Sequence, residues 1–266
     1  MTGIRQLLEY FTTRRLRLRA RQIADFALDP LATVYPQELH FEGHAQRIDV
    51  LTPHADDETF GAGGTLLRHR DRGDAVSVCL FSDNIASIDG DRLNDVEKRR
   101  LREGEFTAAM EQLGITQYQA LGIGNSAFAE DVYPEALFQQ LIENKADVLY
   151  LPSLFDNHRD HRVLNIWLLR ALKMHRGYRP LIRGFEVWSP LPATAVTDIT
   201  RYIDRKRAAM RCYRSQQDTI DYMHHLEGLM AYRAMTLGGR RGRYAEAFLE
   251  LPADVYLELG NSILLK

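Results

Sequence analysis

Ile48-Asp49-Val50-Leu51-Thr52-Pro53-His54-Ala55-Asp56-Asp57-Glu58 is an apolar run that passes straight into a polar cluster. Ile48 to Leu51 reads as a buried strand, which puts His54 and the acids after it where that strand ends and its loop begins. A second apolar run, Val148 to Leu151, leads in the same way into His158-Arg159-Asp160-His161. In open α/β sheets ligands bind at the carboxyl edge of the strands. Two imidazoles and an acid converging there suit a divalent metal, zinc first among them.

Working outward, strand-like and helix-like segments alternate. Gly61, Gly63 and Gly64 read as a turn opening a helix over 64–72, followed by a strand at Ala75–Phe81 with β-branched Val76 and Val78. A charged helical pattern over 92–113 ends at Gly114, which suits a C-cap. A strand over 117–121, a helix from Pro134 to Lys145 and a helix over 160–175 complete the rhythm. Ile182–Trp188 and Ala195–Ile199 read as strands, 201–214 and 218–235 as helices, and Ala245–Leu251 as a last apolar run. The expected fold class is α/β, Rossmann-like, with a mainly parallel sheet, helices on both faces and the metal site at the carboxyl ends of the strands.

The 266 residues suffice for one substantial core. Residues 1–40 read as a basic helical extension and 41–266 as a single α/β domain. In the extension, Arg5, Arg14, Arg15, Arg17, Arg19 and Arg21 interleave with apolar positions over 3–27. A helix packed on the domain is the plainer reading of this stretch, and membrane-surface contact the weaker one. A formal net charge of -2 gives no pull toward nucleic acid. No apolar stretch is long enough to span a bilayer, and no secretory signal is evident. Cys79 and Cys212, far apart, fit a reducing, cytoplasmic setting.

The chemistry follows from residue types. His54, one of Asp56 and Asp57, and His161 would hold a cation with a coordination position left open, the mark of a catalytic site. The spare carboxylate would act as general base toward water acidified by the cation. His158, as an imidazolium, would stabilise an oxyanion or protonate a leaving group. Singly, each signal has a plainer explanation: adjacent aspartates cap helices, and His158 and Asp160 suit a helix start. Together they require two coincidences. Gly61, Gly63 and Gly64 lack the dinucleotide-binding spacing. Arg240–Arg243 reads equally as a phosphate-binding loop or a solvated one. His224 and His225 read as helix-surface residues, Arg68 and Arg102 as salt-bridge partners rather than sugar contacts, and Trp167 and Trp188 as core rather than sugar-stacking platforms, with Trp188, near a strand end, fitting either reading.

These residues resemble the PIG-L/LmbE-type zinc deacetylases, whose signatures are A/P-H-P-D-D-E and H-x-D-H. Arg102, Glu105, Ala109, Leu113 and Gly114 fit the family's R-x-x-E helix. Pro152, Asp156, His158, Asp160 and His161 fit its P-x-x-x-D-x-H-x-D-H segment. Lys206, Ala209, Tyr213, Ser215 and Gln216 fit a later helix, and Tyr244 to Phe248 a Y-A-E-x-F element. The likeness runs from about residue 46 to 250. It implies His54, Asp57 and His161 as ligands to zinc or another divalent metal, with Asp56 as general base. It further implies His158 as oxyanion stabiliser, with Asp160 keeping that ring charged and oriented. The implied activity is removal of the N-acetyl group from an N-acetylglucosamine-type sugar or glycoconjugate. Hydrolysis of a non-sugar amide or ester, or an inactive binding module, are the alternatives. Two positions depart from the family: Ala55 replaces proline, and Asp156 stands where some relatives place a tyrosine.

Overall fold

The computed structural model describes residues 36–41, 43–88, 93–125, 127–217, 220–238 and 242–264. Its strands are β1 (Gln37–Glu38), β2 (Arg47–Thr52), β3 (Ala75–Ser82), β4 (Gln117–Ile123), β5 (Val148–Pro152), β6 (Leu181–Phe185), β7 (Ala195–Asp198) and β8 (Ala245–Pro252). Its helices are α1 (Asp57–Arg72), α2 (Asp95–Leu113), α3 (Glu135–Asn144), α4 (Arg159–Met174), α5 (Ile203–Met210), α6 (Arg214–Gln217), α7 (Tyr222–Arg233) and α8 (Ala253–Leu264). Most strand and helix bounds lie within a few residues of those expected.

The strands form one sheet in the order β1-β7-β8-β6-β5-β2-β3-β4. All pairings are parallel except those of β8, which runs antiparallel to β6 and β7. The mixed sheet is therefore mainly parallel, as expected. From β2 the chain moves to β3 and β4 on one side, then crosses to β5 on the other. That reversal makes the gap between β2 and β5 a topological switch point, where the loops leaving two adjacent strands part and form a crevice. β2 and β5 pair in register through Ile48 and Val148, Asp49 and Leu149, and Val50 and Tyr150. Every residue of β5 is buried, as a central parallel strand covered on both faces requires.

Two expectations change. The glycines after the first cluster are not a turn: α1 begins at Asp57 and runs through them. They are needed for space. A Cβ on Gly61 would run into the Phe185 ring, and one on Gly64 would come within 2.7 Å of Ile199. The first helix thus presses its backbone against its neighbours at the level of the site. The boundary at residue 40 also shifts. Gln37 and Glu38 pair with Ala195 and Val196, with Leu39 N donating to Val196 O at 2.8 Å, so the compact unit begins at Pro36. An otherwise open β7 edge gains hydrogen-bond partners this way. The basic helix expected over 3–27 lies outside the described residues. Among the described residues, no helix is long and apolar enough to cross a membrane.

Candidate active site

The first cluster is held in a strained turn. Asp56 has φ 146°, a region that non-glycine residues rarely occupy. The surrounding contacts fix it there. Arg102, from α2, is buried and reaches the Asp56 carboxylate at 3.0 Å while also donating to the Ala55 carbonyl. Ala55 N donates to Asn84 Oδ1 at 2.8 Å, and Phe60 N to Asp56 O at 2.8 Å. Arg102 is itself braced by Glu105 at 2.8 Å, and Glu105 accepts from both the amide and the hydroxyl of Ser215 at 2.7 Å. Next to this chain Tyr213 donates to the buried Glu58 at 2.5 Å. Arg102 therefore serves the turn, as its salt-bridge reading implied. The Lys206-to-Gln216 segment supplies the braces.

The second cluster opens α4. Asp156 is buried and accepts from His158 N at 2.9 Å and Trp188 N at 3.0 Å. Its carboxylate also stands 3.2 Å from His161 Nδ1, close enough for an ion pair though bent from the line of a hydrogen bond. His158 caps the helix, its Nδ1 accepting from Asp160 N at 3.2 Å.

The two clusters meet. Asp57 Oδ2 lies 3.0 Å from His54 Nδ1 and 3.2 Å from His161 Nε2. Ligand atoms at the corners of a tetrahedral zinc site, with bonds of about 2.0–2.2 Å, are about 3.3 Å apart. Both separations from Asp57 Oδ2 are close to that spacing, and the atoms are of the right chemistry. His54, His158 and His161 also bring ring nitrogens within 4.8 Å of one another. In that set His158 already spends Nδ1 on its helix cap. Burial opposes charge on the His54 and His161 rings, but the neighbouring carboxylates, Asp57 with Asp160 at His54 and Asp57 with Asp156 at His161, together outweigh it and push the rings up to about 10 and about 9. Protons and a divalent cation compete for the same lone pairs here.

Asp160 departs from expectation. Its carboxylate lies 3.0 Å from His54 Nε2, and its link to His158 is through its backbone amide. Burial, aided by the neighbouring His54 and His161 charges, pushes His158 down to about 4. That direction favours a neutral His158 over the imidazolium expected from the sequence. In the neutral form, with Nδ1 accepting a hydrogen bond, the single proton would sit on Nε2. Asp56 is pushed up to about 7 by burial, with Arg102 pulling the other way.

All six signature residues come together, and five of them line one cleft of about 190 Å³; His161 lies buried behind it. The cleft has further walls. Trp188, which the sequence allows either as core or as a platform at a strand end, is 49% exposed and lines it, because β6 stops at Phe185. Tyr222, Asn125 and Asn84 line it too. Trp167 is buried as expected. Arg68 packs over the Phe41 ring, and His224 and His225 are exposed on α7. Arg243 of the basic loop pairs with Asp198, while Arg240 and Arg241 lie outside the described residues.

Residues 50–172 match the model of the PIG-L family, described as GlcNAc-PI de-N-acetylase. A Bacillus cereus protein named "Probable N-acetyl-alpha-D-glucosaminyl L-malate deacetylase 2" is 26% identical over 188 residues, covering 64% of this chain and 84% of that protein. The N,N'-diacetylchitobiose deacetylase of Pyrococcus horikoshii is similar in structure, with TM-score 0.67 and 22% identity over 80% of this chain and 86% of its own. The 4-carboxy-2-hydroxymuconate hydratase GalB of Pseudomonas putida is similar too, with TM-score 0.66 and 22% identity over 77% of this chain and 96% of its own. At such identities the solved structures share the fold, and the hydratase is a reminder that one fold hosts several chemistries.

Proposed function

On the premise that residues 50–172 form a PIG-L family domain, we propose that the protein is a metal-dependent N-deacetylase. Its substrate is an N-acetylglucosamine-type sugar or glycoconjugate, and His54, Asp57 and His161 hold zinc or another divalent cation. One observation carries this reading. A carboxylate oxygen sits between two ring nitrogens at 3.0 and 3.2 Å, with a second buried acid, Asp56, adjacent in the chain and lining the cleft. The names of the B. cereus and P. horikoshii proteins support the sugar.

A bound cation supplies Lewis acidity, lowering the pKa of water and polarising a carbonyl. The rest is done by side chains. Asp56, held by Arg102, removes a proton from the attacking water. His158 donates from Nε2 to the carbonyl oxygen as negative charge develops there. The proton taken by Asp56 returns to the amine nitrogen as the C–N bond breaks. Asp160 orients His54 through Nε2 and Asp156 stands beside His161, the carboxylate-to-histidine support typical of metal ligands. Asp156→Asn is accordingly expected to weaken zinc affinity by about ten- to a hundredfold, measured by competition with a chromophoric chelator. Unchanged affinity would remove Asp156 from this role.

The direct test is mass spectrometry of N-acetyl sugars and non-sugar acetamides incubated with the zinc-loaded protein. Loss of one acetyl group from a sugar, abolished by chelation, is the expected result. Turnover confined to the non-sugar amides would replace the substrate class, and full activity after complete metal removal would overturn the mechanism.

A further inference from the structure

The cleft is built from two chemically different sides, and the strand order separates them. Trp188 follows β6, on the β5 side of β2, and Tyr222 stands with it. Asp83 follows β3 and Asn125 follows β4, both on the opposite side of β2. The candidate metal ligands lie between, at the ends of β2 and β5. A ligand reaching those residues therefore passes between an aromatic wall and a wall of carboxylate and amide groups.

Trp188 is fixed rather than loosely exposed. Its backbone N–H donates to Asp156, the same carboxylate that stands beside His161. Its indole lies nearly parallel to the His158 imidazole, at 25° and 6.2 Å between centroids. Tyr222 meets it edge-on at 81° and 6.0 Å. Trp188, 49% exposed and lining the cleft one ring away from the proposed reacting centre, presents apolar surface to a ligand entering there.

We infer that Trp188 is the platform on which the pyranose ring of the substrate rests, so that it selects an N-acyl sugar over a small N-acyl amine. This deepens the deacetylase reading and rests on it. A pyranose has an apolar face of C–H groups and a rim of hydroxyls. Resting that face on the indole turns the rim toward Asp83 and Asn125 and sets the 2-acylamino group toward His158 and Asp57. A flat aromatic amide would cover the indole equally well but bring no hydroxyls to the polar wall, where Asp83 also faces Arg99 and Asn125 also accepts from Arg159.

The sequence contains two tryptophans, and Trp167 is fully buried, so acrylamide quenching of intrinsic fluorescence is read through Trp188. Zinc-loaded protein is titrated with N-acetylglucosamine and, separately, with N-acetylethanolamine. The sugar is expected to shield the exposed tryptophan and the small amide is not. In Trp188→Ala the ratio of kcat/KM for the sugar over that for N-acetylethanolamine is expected to fall about ten- to thirtyfold, the value of roughly 60–80 Å² of apolar contact. The loss should appear in KM, and Trp188→Tyr should recover part of it. No shielding by the sugar, or an unchanged ratio in Trp188→Ala with zinc content intact, overturns the platform. Shielding without acetyl release by any sugar upholds the platform and sinks the deacetylase reading. Sugar deacetylation without shielding does the reverse.

Discussion

Asp56→Asn is expected to slow acetyl release by about 10²–10⁴-fold, the usual contribution of a positioned general base, while zinc remains stoichiometric. The substitution isolates proton transfer unusually well. Asparagine has the same shape and still accepts from Arg102 through its amide oxygen, so the contacts that hold the 146° backbone angle remain. Arg102 keeps Glu105 as an ionic partner at 2.8 Å, so the buried guanidinium is not stranded. What disappears is a proton acceptor. Burial pushes Asp56 up to about 7, Arg102 pulls it down, and a cation on Asp57, as proposed, would pull in the same direction as Arg102. A group so balanced can accept a proton from water and surrender it to an amine near neutral pH. The check is acetate release alongside zinc content by elemental analysis and a urea unfolding curve. Wild-type rates in a metal-loaded, folded Asp56→Asn protein would remove Asp56 from the mechanism.

The site was legible in the sequence where chemistry coincides with a strand end. His54 and Asp57 follow one apolar run, His158 and His161 another, and parallel pairing of β2 with β5 brings the two loops together. Which carboxylate faces which ring was not legible, because it depends on side-chain conformation set by packing. Asp160 lies two residues from His158 yet places its carboxylate on His54, 106 positions away. Gly61 and Gly64 read as a turn because glycine commonly signals one, whereas their place here is a helix pressed against Phe185 and Ile199. The apolar run from Ile182 to Trp188 hid a change of role. After Phe185 the chain leaves the sheet, Glu186 pairs with Arg233, and Trp188 turns into the cleft. The insertion of β8 between β6 and β7 depends on contacts made across the whole chain, which local periodicity does not encode.

Lys206→Met is expected to destabilise the protein by about 3 kcal/mol or more, the cost of removing one partner from a buried ion pair. Lys206 is fully buried on α5 and meets Glu246 of β8 at 2.5 Å. The pair is wired into α1. Lys206 Nζ donates to the Phe60 carbonyl at 2.7 Å, and Glu246 accepts from Gly64 N at 2.8 Å and Thr65 N at 2.7 Å. In a regular helix the Phe60 carbonyl is the partner of Gly64 N–H, so the two side chains clamp one turn of the helix from outside. Methionine keeps most of the volume but leaves a carboxylate facing an apolar thioether and strips a donor from the Phe60 carbonyl. Urea unfolding measures the loss, and the double variant Lys206→Met, Glu246→Gln should recover part of it because no buried charge is then left alone. Arg205–Asp71 provides the contrast. That pair has a similar separation, 3.1 Å, but side chains 47% and 40% exposed, and Arg205→Ala should cost under about 1 kcal/mol. Equal losses for the two variants would show that the clamp contributes no more than a surface contact. A large loss for Lys206→Met alone would tie the stability of α1, and with it the position of Asp57 at its first turn, to a pair far from the chemistry in sequence.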